Sequence, residues 1–233
     1  KDLAGAYARW PTYPLASISD HQRRPLANAH WVATVQHGVP MRNFRFSPAA
    51  EGQYLAFLGR ISPEKGPERA LAIARAAGIP LKIAAKVDAA DTTYFHRCVE
   101  PLLDDPLIEF IGEIGEAEKS GFLGNALALL FPIDWPEPFG LVMIEAMACG
   151  TPVIAWECGS VPEIVEHGVT GYVVKSEREA QQAIRGLKSL NRLRIRHVCE
   201  RRFSAAAMAK RYLDVYARLL GGAAFEYELQ DAV

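Results

Sequence analysis

From residue 53 onward the chain alternates two hydrophobic periods. Short, continuously apolar runs recur as QYLAFLG (53–59), PLKIAAK (80–86), LIEFIGEI (107–114), ALALLFP (126–132), PVIAW (152–156) and GYVV (171–174). Runs of strand length without polar alternation belong to strands covered on both faces. Between them lie stretches with helical spacing. In PERALAIARAAG, Ala70, Leu71, Ile73, Ala74 and Ala77 share a face, with Pro63 near the start and Gly78 at the end. TTYFHRCVEPLL, LVMIEAMA, VPEIVEHG and a long segment from Ser176 to Leu190 also read as helices, whereas EAEKSGFLGN reads as a short polar connection. Strands alternating with helices predict βα units, right-handed crossovers and an α/β fold with a doubly wound, Rossmann-like parallel sheet. The closing RIRHVCERRFSAAAMAKRYLDVYARLL predicts two amphipathic helices joined near Phe203.

The first 30 residues follow no sustained period, carry two prolines just after Trp10, and begin at Lys1 rather than Met. They read as the tail of something larger, so a fragment or trimmed chain is expected. The chain has 233 residues, half of them apolar, and a formal net charge of −1, which argues against nucleic acid as a bulk electrostatic partner. No apolar run reaches the ~18–20 residues that span a bilayer, and the opening lacks a signal-peptide layout. Cys98, Cys149, Cys158 and Cys199 are scattered without a CxxC pair. Reduced thiols and a cytoplasmic setting, at most peripheral to a membrane, are the expectation.

In a doubly wound sheet, ligands bind beyond the carboxyl ends of the strands. The loop GRISPEKGPE after the first regular strand holds Gly59 and Gly66 with Arg60 and Lys65, just ahead of a helix N-terminus. Backbone freedom, two cations and free amides together suit a phosphate or diphosphate; the alternative is a solvated surface turn. The loop is not a Walker A sequence, and no GxGxxG occurs anywhere in the chain.

Glu145 is the one charged residue in LVMIEAMA, and its helical neighbours Leu141, Val142, Ala148 and Cys149 offer no cation. An ionised carboxylate in an apolar helix costs several kcal/mol unless hydrogen-bonded. Either it pairs with a core cation such as Lys86, or lies on a solvated sliver, or it reaches the strand-end crevice to accept from a vicinal diol such as a ribose. Glu137, held between Pro136 and Pro138, precedes a helix opened by Phe139 and Gly140, with unpaired amides at Gly140, Leu141 and Val142. It could serve a ligand with hydroxyls, but Glu near a helix N-terminus is favourable in any case. Thr151 reads as structural, Ser160 as a helix N-cap, Glu163 and Glu166 as surface, and His21, His37, His96 and His197 as ordinary surface or capping residues. Neither metal-ligand spacing nor a nucleophile–base constellation is visible, so no metal and no cofactor are expected.

GRISPEKG, FIGEI and above all PEPFGLVMIEAMACGTPVIAWECGSVPEIVEHGVTG resemble the nucleotide-sugar-binding domain of retaining GT-B glycosyltransferases, specifically glycosyltransferase family 4. The resemblance runs from about Ser17 to Tyr172. Glu137 and Glu145 match that family's E-x7-E motif. SISDHQRRP resembles the end of the family's N-terminal domain, and WVATVQHGVP the entry to its C-terminal domain, where many members have Asn in place of His37.

The resemblance implies three regions: 1–30 as the remnant of an N-terminal domain, 31–203 as the donor-binding domain and C-terminal half of a GT-B fold, and 204–233 as a closing helix and tail. It implies that Arg60 and Lys65 bind the donor diphosphate and that Glu145 bonds the ribose. Glu137 would bond the transferred sugar, and the amides of Phe139, Gly140 and Leu141 would hold sugar and diphosphate. Ile114 would line the base pocket. The implied reaction is retaining transfer from a UDP- or GDP-type sugar to an acceptor hydroxyl, with Glu137, Arg60 and Lys65 stabilising the transition state. The acceptor, a sugar or a lipid-linked sugar, would be held by an N-terminal lobe that ~50 residues cannot build. Alone, the chain is expected to bind donor and transfer little or nothing. A free-standing nucleotide-sugar-binding module, or a GT-B epimerase or phosphorylase, are the other readings.

Overall fold

A computed structural model describes residues 3–221. After a short helix α1 (Leu3–Arg9), strands β1 (Leu15–Ser17) and β2 (Trp31–Thr34) form a two-stranded parallel sheet of their own. The rest of the chain is built on strands β3 (Leu55–Arg60), β4 (Leu81–Lys86), β5 (Ile108–Gly112), β6 (Ala128–Phe131), β7 (Val153–Trp156) and β8 (Gly171–Val174). All six are parallel, in the order β5-β4-β3-β6-β7-β8. The doubly wound sheet is therefore present, and every apolar run from QYLAFLG to GYVV supplies a strand.

Alternate residues of the same strand enter different cores. Leu55, Phe57, Ala128, Leu130 and Ile154 join the helices α2 (Pro67–Ala77) and α7 (Glu177–Gly186). Ala56, Leu129, Phe131, Val153 and Ala155 face the opposite way, toward α5 (Leu141–Ala148) and α8 (Arg192–Phe203). A strand with two buried faces has no polar position to alternate with, which explains its uninterrupted apolar sequence.

Several elements differ from the sequence expectation. TTYFHRCVEPLL is not one α-helix: α3 covers only Thr92–Tyr94 and continues as a wider turn, Phe95–Val99, and a tighter one, Glu100–Leu102. Pro101 supplies no amide to extend a regular ladder. EAEKSGFLGN is not a polar connection but contains helix α4 (Glu116–Gly124). Two glycines weaken its propensity. The Glu118 carboxylate accepts from the Gly115 amide at 2.7 Å, and Phe122 and Leu123 bury the other face. The helix expected over Ser176–Leu190 ends at Gly186 and closes in a tight turn, Leu187–Ser189, with the Ser176 hydroxyl accepting from the Glu179 amide.

Helix α6 (Val161–Ile164) follows Ser160, but that hydroxyl donates to the Phe139 carbonyl at 2.9 Å instead of capping. Ser204 separates α8 from the last helix α9 (Ala205–Leu219), as the break near Phe203 predicts. The four cysteines are free, and burial pushes the thiols of Cys149 and Cys199 up to about 11 and about 12.

Candidate functional site at the strand switch point

Strands β3 and β6 are neighbours, but the chain leaves β3 toward β4 and leaves β6 toward β7, in opposite directions along the sheet. The crossovers diverge here and leave a crevice beyond the carboxyl ends of the two strands. The loop 61–66 follows β3 and the loop 132–140 follows β6, so the two segments singled out in the sequence flank one opening. They are tied together: the Asp134 amide donates to the Glu64 carbonyl at 2.8 Å, and Arg69 donates to the Pro132 carbonyl at 3.2 Å. A methyl at Gly66, whose φ is +64°, would sit 2.3 Å from the Pro132 carbonyl oxygen, so both backbone and space require glycine there.

The crevice holds a cavity of about 350 Å³. Its wall contains three polar side chains, His37, Lys65 and Glu137, together with Phe139, Gly140 and Leu141 at the start of α5. Lys65 Nζ lies 2.6 Å from Glu137 Oε2, and the Trp135 indole donates to the same oxygen at 2.9 Å. Glu137 is only 9 % exposed. The Lys65 ammonium also stands over the rings of Phe131 and Trp135, at 5.8 and 5.6 Å, contacts that favour a cation. Gly140 opens α5 with φ +81°, and the first amides of the helix point where an anion is stabilised.

A second loop holds Glu137 from behind. The Ser160 amide donates to the Glu137 carbonyl at 3.0 Å, and a methyl at Gly159, φ +60°, would come within 2.4 Å of the Glu137 backbone.

Glu145 sits outside this cavity wall, one helical turn deeper in α5, and is 9 % exposed. Its partner is not Lys86, which pairs with Asp88 at 3.1 Å, but Lys119 of α4, at 3.2 Å. Lys119 also reaches Glu116 at 2.8 Å. Burial nevertheless raises the Glu145 pKa, and Lys119 reverses this only in part. Burial would lower Lys119, but its hydrogen bond to Glu116 and the charge of Glu145 outweigh it, so its pKa is raised.

Arg60 also stands outside the cavity wall. Its guanidinium pairs with Glu64 at 2.6 Å, Asp88 at 3.6 Å and Asp91 at 3.8 Å, and is half exposed. Ile114 is partly buried and packs against the core that contains α5. Thus Lys65, Glu137, Phe139, Gly140 and Leu141 meet in one cavity, while Arg60, Ile114 and Glu145 are not part of its wall. Among the described residues no three His, Cys, Asp or Glu side chains gather as metal ligands.

Three residues have roles that sequence reasoning missed. His37 is not an ordinary surface residue: it lines the cavity, with its ring edge-on to Phe139 at 5.1 Å. Glu163 is not free surface, since its two oxygens accept the amides of Asp20 and His21, each at 2.8 Å. Glu166 pairs with Arg202 at 2.9 Å. Each partner is more than 30 positions away, beyond the reach of any local pattern. Thr151 is structural, fully buried and donating to the Leu123 carbonyl at 2.7 Å.

Known proteins share both the sequence and the architecture. The D-inositol 3-phosphate glycosyltransferase of Mycobacterium marinum is 33 % identical over 145 residues, covering 57 % of this chain and 29 % of that protein. The enzyme of the same name from Rhodococcus erythropolis is 36 % identical over 140 residues, covering 53 % of this chain and 30 % of its own length. The aligned region thus spans less than a third of these curated relatives. AviGT4, a glycosyltransferase involved in avilamycin A biosynthesis, superposes with a TM-score of 0.75 at 30 % identity, over 89 % of this chain and 64 % of its own. HepE of Anabaena, solved in complex with UDP, superposes with a TM-score of 0.80 at 18 % identity, over 93 % of this chain and 67 % of its own, a likeness of fold. No helix among the described residues is long and apolar enough to cross a membrane. Residues 42–207, which carry all six strands and both site loops, match the family described as glycosyl transferases group 1, and the chain belongs to that family.

Proposed function

We propose that the chain is the donor-binding part of a retaining, family 4 glycosyltransferase that moves a sugar from a UDP- or GDP-type nucleotide to an acceptor hydroxyl. The observation that carries the reading is the Lys65–Glu137 contact of 2.6 Å at the mouth of α5, in the crevice where β3 and β6 part. A cation and free amides suit a diphosphate, and a carboxylate beside them suits sugar hydroxyls. Neighbours of the same fold support it, since HepE has been solved with UDP and with UDP-glucose.

In this reading Lys65 and the amides of Phe139, Gly140 and Leu141 hold the diphosphate, and Glu137 accepts from the transferred sugar. Arg60 leaves its carboxylates for the β-phosphate. Glu145 shares itself between Lys119 and the ribose diol, and Ile114 borders the base. Transfer is electrostatic: the fixed donors stabilise charge on the departing diphosphate, and its phosphate helps remove the acceptor proton on the same face. Residues 31–203 form the donor domain, 1–30 belong with an acceptor lobe outside this chain, and helix α9 (Ala205–Leu219) closes against that lobe, the tail from 222 to 233 lying outside the described residues. A sugar or lipid-linked acceptor would bind on that lobe, and the site of action would be the cytoplasm. The D-inositol 3-phosphate relatives do not specify that acceptor, because less than a third of their length is matched.

Calorimetric titration of UDP, GDP and ADP, with their sugar conjugates, tests the site. Lys65→Ala is expected to weaken the preferred diphosphate at least tenfold, the loss of a charge-assisted bond worth ~1.5–3 kcal/mol. Unchanged affinity in the Arg60→Ala, Lys65→Ala double variant would falsify the diphosphate assignment.

A further inference from the structure

His37 has a place and a chemistry that neither the fold nor the core requires. It stands on backbone fixed from both sides. The Val35 amide donates to the Ser17 carbonyl at 2.7 Å, and the Val39 amide to the Phe203 carbonyl at 2.9 Å. The Ala205 amide donates back to the Val39 carbonyl at 2.9 Å. A methyl on Gly38 would fall 2.4 Å from the Ser204 carbonyl oxygen, so the segment lies flat against the α8–α9 junction. The ring is fixed as well, edge-on to Phe139 at 5.1 Å, with Phe139 edge-on to Phe203 at 6.1 Å. Such rigid placement is what a recognition group needs.

Its hydrogen-bonding capacity is unspent. The Nδ1 atoms of His30, His96 and His167 each have a protein partner. Among the described residues, the ring nitrogens of His21, His37 and His197 do not, and of these His37 is the one in the cavity wall. Of the three polar side chains in the cavity wall, Lys65 and Glu137 are already bonded to each other, and His37 alone is unpaired among the described residues. Burial lowers its pKa below the ordinary 6.5, so the ring is neutral at pH 7, with one N–H and one lone pair.

That pairing of donor and acceptor narrows the ligand group. A phosphate oxygen only accepts, and the wall already offers it an ammonium and helix amides. One ring nitrogen faces a given hydroxyl, and because a hydroxyl both donates and accepts it suits that nitrogen in either tautomer, whereas Lys65 only donates and Glu137 only accepts. We propose that His37 is a specificity-determining residue that hydrogen-bonds a hydroxyl of the sugar in the cavity it shares with the Lys65–Glu137 pair. The proposal rests on the nucleotide-sugar reading of the site. It gives His37 and Glu137 different hydroxyls of one sugar, so that stereochemistry is read at two points.

The test compares each diphosphate with its sugar conjugate. Wild type, His37→Ala and His37→Gln are titrated with UDP and UDP-glucose, GDP and GDP-mannose, and ADP and ADP-glucose. For the pair that wild type prefers, His37→Ala is expected to leave the diphosphate within about twofold and weaken the sugar nucleotide about tenfold. Gln retains a donor and an acceptor, so His37→Gln should recover most of that loss. Equal weakening of both ligands, or of neither, overturns the role in sugar recognition while leaving the nucleotide site standing. So does a wild type that binds a diphosphate no more tightly when it carries its sugar. If wild type takes up none of these nucleotides, the nucleotide-sugar reading fails and the role of His37 falls with it. Should His37→Ala not fold, His37→Leu set against His37→Gln makes the same comparison.

Discussion

Glu145 is a carboxylate that folding makes less comfortable. Burial raises its pKa from the ordinary 4.5, and Lys119 at 3.2 Å offsets only part of the shift. A carboxyl whose pKa is higher in the folded state destabilises that state once pH exceeds its unfolded value. Below that value both states are protonated and the penalty disappears. Glu145→Gln is therefore expected to stabilise the chain at pH 7, by the order of 1 kcal/mol or less, with the gain fading as pH falls through 4.5. Urea midpoints across that range check the sign. The same variant should lose about tenfold or more in nucleotide affinity, because an amide accepts a diol poorly. A gain in stability joined to a loss of binding is the mark of a functional rather than a structural charge. The oddity of Glu145 was legible in its apolar neighbours. Its partner was not, since Lys119 lies on a helix that the sequence pattern hid.

At the scale of elements, the start of α8 is fastened by one half-buried cation. Arg192, at its first position, donates to the carbonyls of Ser47, Ala126 and Gly124 at 2.8, 3.0 and 2.7 Å, and to the Thr151 hydroxyl at 2.7 Å. It has no carboxylate partner among the described residues, and burial lowers its pKa. Three carbonyls and a hydroxyl, spread over three chain segments, suit a guanidinium that fans its donors in a plane. Arg192→Met should cost ~3 kcal/mol in chemical denaturation, because four acceptors lose their partner. Arg192→Lys should recover less than half, since an ammonium cannot reach them all. Elements with strong periods, the strands and α2, were readable from sequence. Helix α4 was not, because its glycines weaken propensity and its stability comes from a cap and from tertiary burial of Phe122 and Leu123.

Across the whole molecule, the N-terminal segment is held to the body of the six-stranded sheet by a long-range clamp. The Glu163 carboxylate receives the amides of Asp20 and His21, both at 2.8 Å, from more than 140 positions away. Nearby, Ile18 enters the cavity wall, so this clamp also shapes the site. Glu163→Gln should speed hydrogen exchange at the Asp20 and His21 amides about tenfold or more, with little change in global stability. If exchange there stays as slow as in wild type, the clamp is not what orders the segment.

The sequence by itself determined the layers. Uninterrupted apolar strands demand cover on both faces, helices of one-sided spacing provide it, and a doubly wound parallel sheet follows from those two facts. It also named Lys65, Glu137 and the start of α5, because a cation after one strand and a carboxylate before an uncapped helix are local features. Only the tertiary structure decided that these loops face each other. Strand order is a long-range property, and β3 lies beside β6 although some 70 residues separate them. That adjacency brings Lys65 to Glu137, while the packing of α4 on α5 sets Glu145 against Lys119 and the α8–α9 junction holds His37 in the wall of the cavity.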